Sequence, residues 1–209
     1  LKNSTLALIL SLIPAWALAA PQAVIDAAGD STVMIMAFRS SGGGAYGSGA
    51  YVGHGLFITN DHVVNGSDRF VIKKPGTAIQ YDAELIYTNS VADVAILFVL
   101  EDVILDPVVF AGSDKRGRRW AAGYGSSLHD DLPGHFMRIY GGGYARFDVE
   151  NRHWYRFSGS EGAAISGDSG GPAFNKDGEY IGPIWGTDDV NTYAVRNSTI
   201  RQIAEGLAK

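Results

Sequence analysis

A chain of 209 residues with 46% apolar composition can build one sizeable domain, or two small subdomains that share a core. Its net charge of −5, with both signs scattered along the chain, leaves no nucleic-acid footprint, and the short basic run Lys115-Arg116-Gly117-Arg118-Arg119 reads as a solvated loop. The absence of cysteine excludes disulfides and cysteine metal sites.

In chain order, Lys2 is followed by an apolar stretch over 6–18, interrupted by Pro14, and by the small-x-small triplet Ala17-Leu18-Ala19. That is the anatomy of a secretory signal peptide over 1–19. Cleavage is expected after Ala19, or as a second choice after Ala20, leaving a domain over 20–209 and a secreted or periplasmic location. The stretch is short for a membrane span, and an uncleaved anchor is the competing expectation. The initial Leu1 reads as a non-AUG start or as a fragment of a longer precursor.

A short helix is expected over 24–29. Short β runs separated by Gly, Asn, Asp and Pro then follow at 32–39, 49–52, 56–59, 69–73, 81–88 and 95–99. This spacing predicts an antiparallel barrel over about 30–105. A linker over 105–117 precedes a second set at 119–124, 135–142, 143–149, 154–157, 172–174, 180–185 and 192–196, within about 117–196. The glycine runs at 42–44 and 141–143 read as turns that need positive φ. A closing helix is expected over 197–208, capped by Ser198, with Ile200, Ile203 and Leu207 on one face.

The most informative stretch is Gly167-Asp168-Ser169-Gly170-Gly171-Pro172. Its glycines let the backbone approach a bound molecule closely. Ser169 has the hydroxyl of a nucleophile, and the amides of Gly167 and Ser169 are placed to meet a developing oxyanion. A serine hydroxyl needs a base to take its proton. Of the five histidines, His62 follows a predicted core strand in Ile58-Thr59-Asn60-Asp61-His62-Val63-Val64. The base needs an orienting acid. Asp93 opens the apolar run Asp93-Val94-Ala95-Ile96-Leu97-Phe98-Val99, where a carboxylate is costly to bury without a partner such as an imidazole N–H. The other readings are a glycine-rich surface turn for 167–172 and a surface strand cap for Asp93.

With chain order His, Asp, Ser and spacings of 31 and 76 residues, these segments resemble the trypsin-like (chymotrypsin-fold) serine peptidases. The segment around His62 is most similar to the HtrA-type bacterial branch, and the likeness extends over about 33–203. The resemblance implies an all-β fold of two six-stranded antiparallel barrels, with the active site in the cleft between them and a C-terminal helix. It implies a serine endopeptidase that works through an acyl-enzyme, with His62, Asp93 and Ser169 as the catalytic triad. The pocket for the residue before the scissile bond would have its floor at Ala163 and Ala164 and its wall at Ile184, Trp185 and Gly186. Asn191 would reach in from the following strand, and Asp188 and Asp189 would sit at the rim. An uncharged floor implies a preference for small or medium apolar residues.

The chain departs from those families in places. HtrA proteins usually carry Asn where Asp168 stands and append PDZ domains; the chain ends soon after the matching region, so PDZ regulation is not expected. Ile184 stands where many relatives have a serine that bonds the triad acid. Asp168 is expected in a buried ion pair with an internal cation, for which Arg138, Arg146 and Arg156 are the candidates. Protein or peptide substrates are implied as partners, with no nucleic acid and, once the signal peptide is cleaved, no stable membrane association. No cofactor and no metal are expected, and the His129-Asp130-Asp131 and His135 segment reads as a solvated hairpin tip. Two other readings compete: a membrane-tethered viral or phage polyprotein protease of the same fold, and a non-catalytic peptide-binding module.

Overall fold

The computed structural model describes residues 20–113, 117–125, 137–147, 154–158, 164–188 and 191–207. The signal-peptide reading over 1–19 and the histidines at 129, 135 and 153 lie outside them. Helix α1 (Gln22–Ser31) follows Pro21 and buries Val24 and Ala28. Strands β1 (Thr32–Phe38), β2 (Gly44–Gly53), β3 (Leu56–Thr59), β4 (Arg69–Lys73), β5 (Gln80–Asn89) and β6 (Val94–Phe98) close into an antiparallel barrel in the order β1-β2-β3-β6-β5-β4. A four-residue helix, α2 (Asp61–Val64), leaves β3.

The second barrel contains β7 (Arg118–Gly123), β8 (Arg138–Phe147), β9 (Trp154–Ser158), β10 (Pro172–Asn175), β11 (Tyr180–Thr187) and β12 (Thr192–Val195). Its order is β10-β11-β12-β9-β8-β7. Helix α3 (Asn197–Leu207) closes the described chain and buries Ile200 and Ile203.

Strand alternation explains where the core sits. Val33, Ile35 and Ala37 of β1, Phe57 of β3 and Ala95 and Leu97 of β6 point into the first barrel. The alternate residues Ile58, Val94 and Ile96 pack with Trp120, Ala122, Phe174 and Tyr180 of the second barrel. Strand β6 is therefore buried on both faces, which is why it reads as an unbroken apolar run. The two barrels share this second core, and that fixes the loops at their junction.

Five sequence expectations are corrected. The runs at 135–142 and 143–149 are one strand, β8, not two. Gly141 is not a turn: it pairs with Trp120 at a bulge, where the register shifts so that Gly143 faces Arg119; its φ of 116°, and an absent Cβ that would lie 2.8 Å from the Arg119 carbonyl oxygen, demand glycine there. Helix α1 is longer than 24–29 because Pro21 starts it and Ser31 continues it, the Ser31 hydroxyl bonding back to the Ala27 carbonyl. Ser198 lies inside α3 rather than capping it, and the side chain of Asn197 instead donates to the Ala111 carbonyl at 2.6 Å. Arg118 and Arg119 are not a solvated loop: they begin β7, where pairing with β8 and β10 leaves Arg119 only 4% exposed.

Candidate active site

The site grows from the end of β3. Thr59 and Asn60 are fully buried, and the chain turns at once into α2, which carries His62. Asp93 precedes β6, the strand hydrogen-bonded to β3, so strand pairing brings the two residues to the same barrel end. Asp93 has φ of 54°, the left-handed region, which Asp tolerates better than most side chains. The Asn60 side-chain amide donates to the Asp93 carbonyl at 2.8 Å.

Both carboxylate oxygens of Asp93 engage His62. One accepts the His62 backbone N–H at 2.9 Å, and the other lies 2.7 Å from ring Nδ1. The Asp93 side chain is 10% exposed and the His62 side chain 49%. A carboxylate only accepts, so in the neutral imidazole this contact selects the tautomer with the proton on Nδ1 and the lone pair on Nε2. The neighbouring Asp61 carboxyl is pushed up by burial and, secondarily, by the Asp93 charge; His62 opposes this.

Ser169 comes from the second barrel, on the turn that leads into β10. Its carbonyl accepts the Ser48 N–H of β2 at 2.8 Å. Gly170 N–H donates to the Ile184 carbonyl at 2.8 Å, and Ile184 N–H donates to the Gly171 carbonyl at 2.7 Å. The glycines are needed for close approach. A Cβ on Gly170, where φ is 87°, would stand 2.2 Å from both the Ser48 carbonyl and the Thr59 hydroxyl, and one on Gly171 would stand 2.2 Å from the Ala122 carbonyl. A Cβ on Gly47 would meet the Ser169 carbonyl on one side and Val63, next to His62, on the other, both at 2.8 Å. The Ser169 turn and α2 thus flank the same glycine.

Asp168 is fully buried. One of its oxygens accepts the Gly125 N–H at 2.8 Å; the other accepts the Ile165 N–H and the Arg138 Nη1–H, both at 3.0 Å. Arg138, among the three candidate arginines, is therefore its ionic partner. Burial raises the Asp168 carboxyl above its ordinary range, and the Ile165 and Gly125 amides and the Arg138 charge oppose the rise. The Arg138 guanidinium lies 4.9 Å from the centre of the Tyr140 ring, and the Tyr140 phenol is pushed well up by burial and then by the Asp168 charge.

Ala163 and Asp189 lie outside the described residues. Ala164 and Ile184 are buried, Trp185 and Gly186 half-buried. Trp185 meets Tyr193 edge-on at 5.9 Å and, with His62, Ser90, Val91 and Asp93, lines a cleft of about 430 Å³. Asn191, expected at the pocket, is bonded to Asp188. Its side-chain and backbone N–H groups both bond the Asp188 carboxylate, which also accepts the Tyr193 hydroxyl at 2.8 Å. Asp188 is exposed and held by these bonds. Sequence reasoning missed Thr192, fully buried, whose hydroxyl accepts the Ala164 N–H at 3.1 Å. It also missed Asn60 and Ser48; the only signal for either was a polar residue within an apolar strand pattern.

Residues 47–182 match the family model described as a trypsin-like peptidase domain. A probable periplasmic serine endoprotease, DegP-like, from Marinomonas sp. (strain MWYL1) is 31% identical over 139 residues, covering 65% of this chain and 28% of the relative. The protein of the same description from Pseudomonas fulva (strain 12-X) is 31% identical over 153 residues, covering 69% and 31%. The chain thus spans under a third of the length of these relatives. The active form of the Rv3671c protease from M. tuberculosis superposes with a TM-score of 0.71 at 22% identity, covering 88% of this chain and 86% of that one. The serine endoprotease from Yersinia pestis superposes with a TM-score of 0.72 at 18% identity, covering 88% and 65%. At such identities the superpositions show a shared fold.

Proposed function

The chain belongs to the trypsin-like peptidase domain family, and from that premise we propose that it is a serine endopeptidase using Ser169, His62 and Asp93. Ser169 Oγ attacks the carbonyl carbon of a peptide bond while His62 Nε2 takes the hydroxyl proton. The tetrahedral oxyanion is held by the Gly167 and Ser169 N–H groups, each worth a few kcal/mol in such sites, about 3. Collapse breaks the C–N bond, and the amine leaves with the proton from His62. Water then hydrolyses the acyl-enzyme by the same route, returning the proton to Ser169. Asp93 holds the imidazole in the tautomer this needs and stabilises the imidazolium formed at each step.

The observation that carries this reading is the two-point grip of Asp93 on His62, which leaves Nε2 as the free base. In support, the Ser48 N–H bonds the Ser169 carbonyl, and the adjacent Gly47 lies close both to that carbonyl and to Val63, the neighbour of His62. For the residue before the scissile bond the preference is small or medium and apolar. Ala164, Ile184 and Gly186 carry no charge, and the Asp188 carboxylate is engaged at the rim by Asn191 and Tyr193. Secretion or a periplasmic location rests on the sequence over 1–19 and on the periplasmic description of the relatives. Among the described residues no helix is long and apolar enough to cross a membrane.

Treatment with a fluorophosphonate tests the chemistry. The wild-type protein takes one label, mapped by peptide sequencing to Ser169, and Ser169→Ala takes none. An unlabelled wild type, or a label elsewhere, would return the chain to the class of peptide-binding modules.

A further inference from the structure

We propose that Ser48 is a positioning residue for this reaction: it clamps the carbonyls of Gly167 and Ser169 and so holds the two oxyanion-binding amides on a common target. The inference rests on the peptidase reading above. Ser48 lies on β2 of the first barrel and is fully buried. Its hydroxyl donates to the Gly167 carbonyl at 2.8 Å and accepts the Tyr124 N–H at 2.9 Å. Its own N–H donates to the Ser169 carbonyl at 2.8 Å, and its carbonyl accepts the Thr59 hydroxyl at 2.8 Å. One residue thus ties three points of the second barrel to the strand end that delivers His62.

The need for such a clamp follows from the backbone. Gly167 sits at φ of 95°, a conformation it adopts without steric preference over others. The peptide joining Gly167 to Asp168 lies between the two amides that meet the oxyanion, and rotating it swings both. That peptide is pinned at both ends: its oxygen by Ser48, its N–H by the Ile165 carbonyl at 3.0 Å. Asp168 anchors the same loop to the second barrel through Gly125 and Arg138. Ser48 anchors it to the first. Mere packing does not explain the residue. An alanine would fill the strand position without desolvating a hydroxyl, and this hydroxyl uses both its donor and an acceptor.

The test compares the wild type with Ser48→Ala and the near-isosteric Ser48→Cys. Turnover of a quenched fluorescent peptide is read well below every melting temperature and normalised to the fraction correctly folded by circular dichroism. For Ser48→Ala the expected result is a kcat lower by about 10- to 100-fold, less than the roughly 100- to 1000-fold that follows outright loss of an oxyanion donor because the amides are misaligned rather than removed, with KM within about two-fold. Affinity for a peptide boronic acid, whose tetrahedral adduct places an oxygen where the oxyanion forms, falls in parallel, while affinity for the cleaved product peptide does not. Ser48→Cys, with a weaker donor, falls in between; it carries the test if the alanine variant does not fold. A folded variant with wild-type kcat, or a loss borne by KM with boronate affinity unchanged, overturns the inference and leaves the peptidase reading intact. A wild type with no turnover overturns both.

Discussion

Removing the cation beside Asp168 perturbs the loop that carries Ser169 without touching the proposed triad. In Arg138→Met the carboxylate keeps the Gly125 and Ile165 amides but loses its countercharge in a fully buried site. Breaking a buried pair in this way costs about 3–5 kcal/mol. The Arg138 side chain is 27% exposed, and water reaching that edge reduces the cost to about 2–3 kcal/mol. For a domain of this size each kcal/mol shifts Tm by about 2–4 °C, so a fall of roughly 5–10 °C is expected near pH 7.

The pH dependence distinguishes this cause from lost packing. Burial already raises the folded-state Asp168 carboxyl above its unfolded range, so keeping it ionised opposes folding. Without Arg138 that carboxyl rises further. The destabilisation is therefore full above the variant's folded pKa and fades as pH falls through it, because the protonated acid needs no countercharge. Thermal melts of Arg138→Met in a Ser169→Ala background, which removes self-digestion, follow this between about pH 4.5 and 8. A gap to the Ser169→Ala parent that does not change with pH, or stays under about 2 °C at neutral pH, refutes the reasoning.

Two further outcomes follow from the same geometry. Gly170→Ala places a methyl 2.2 Å from the Ser48 carbonyl and the Thr59 hydroxyl at a φ of 87°. It should cost more than about 3 kcal/mol of stability or prevent folding, read by urea denaturation; a near-neutral effect would mean the turn does not pack as described. Cleavage-site profiling on a denatured proteome should show Ala, Val, Leu or Met before the scissile bond, and a majority of Arg and Lys there would mean that an acidic side chain enters the pocket.

The first barrel and the pairing of His62 with Asp93 were legible because each rests on local pattern, and the two-barrel division because the three motifs resemble a known family. Short strands punctuated by turn residues specify a barrel, and a lone acid at the mouth of an apolar strand demands a partner. The misreadings arose where one local signal has two physical meanings. Gly141 reads as a turn in sequence but relieves a bulge within β8. Arg118 and Arg119 look like loop residues by charge, yet β7 carries them between two partner strands. Ser48, Thr192 and the choice of Arg138 were illegible for a different reason. Each acts on a backbone group or carboxylate distant in sequence, Ser48 on Gly167 at a separation of 119 residues, and nothing in the local pattern marks such a partner.

The central claim is that Ser169, His62 and Asp93 act as one catalytic unit. Its most direct test is kcat/KM on a fluorescent peptide for the wild type, Ser169→Ala, His62→Ala, Asp93→Ala and the triple variant. The account predicts that Ser169→Ala and His62→Ala each lose several powers of ten, roughly as much as the triple variant, with Asp93→Ala somewhat less impaired. Near-normal hydrolysis by Ser169→Ala, or single losses that multiply in the triple variant, would contradict it.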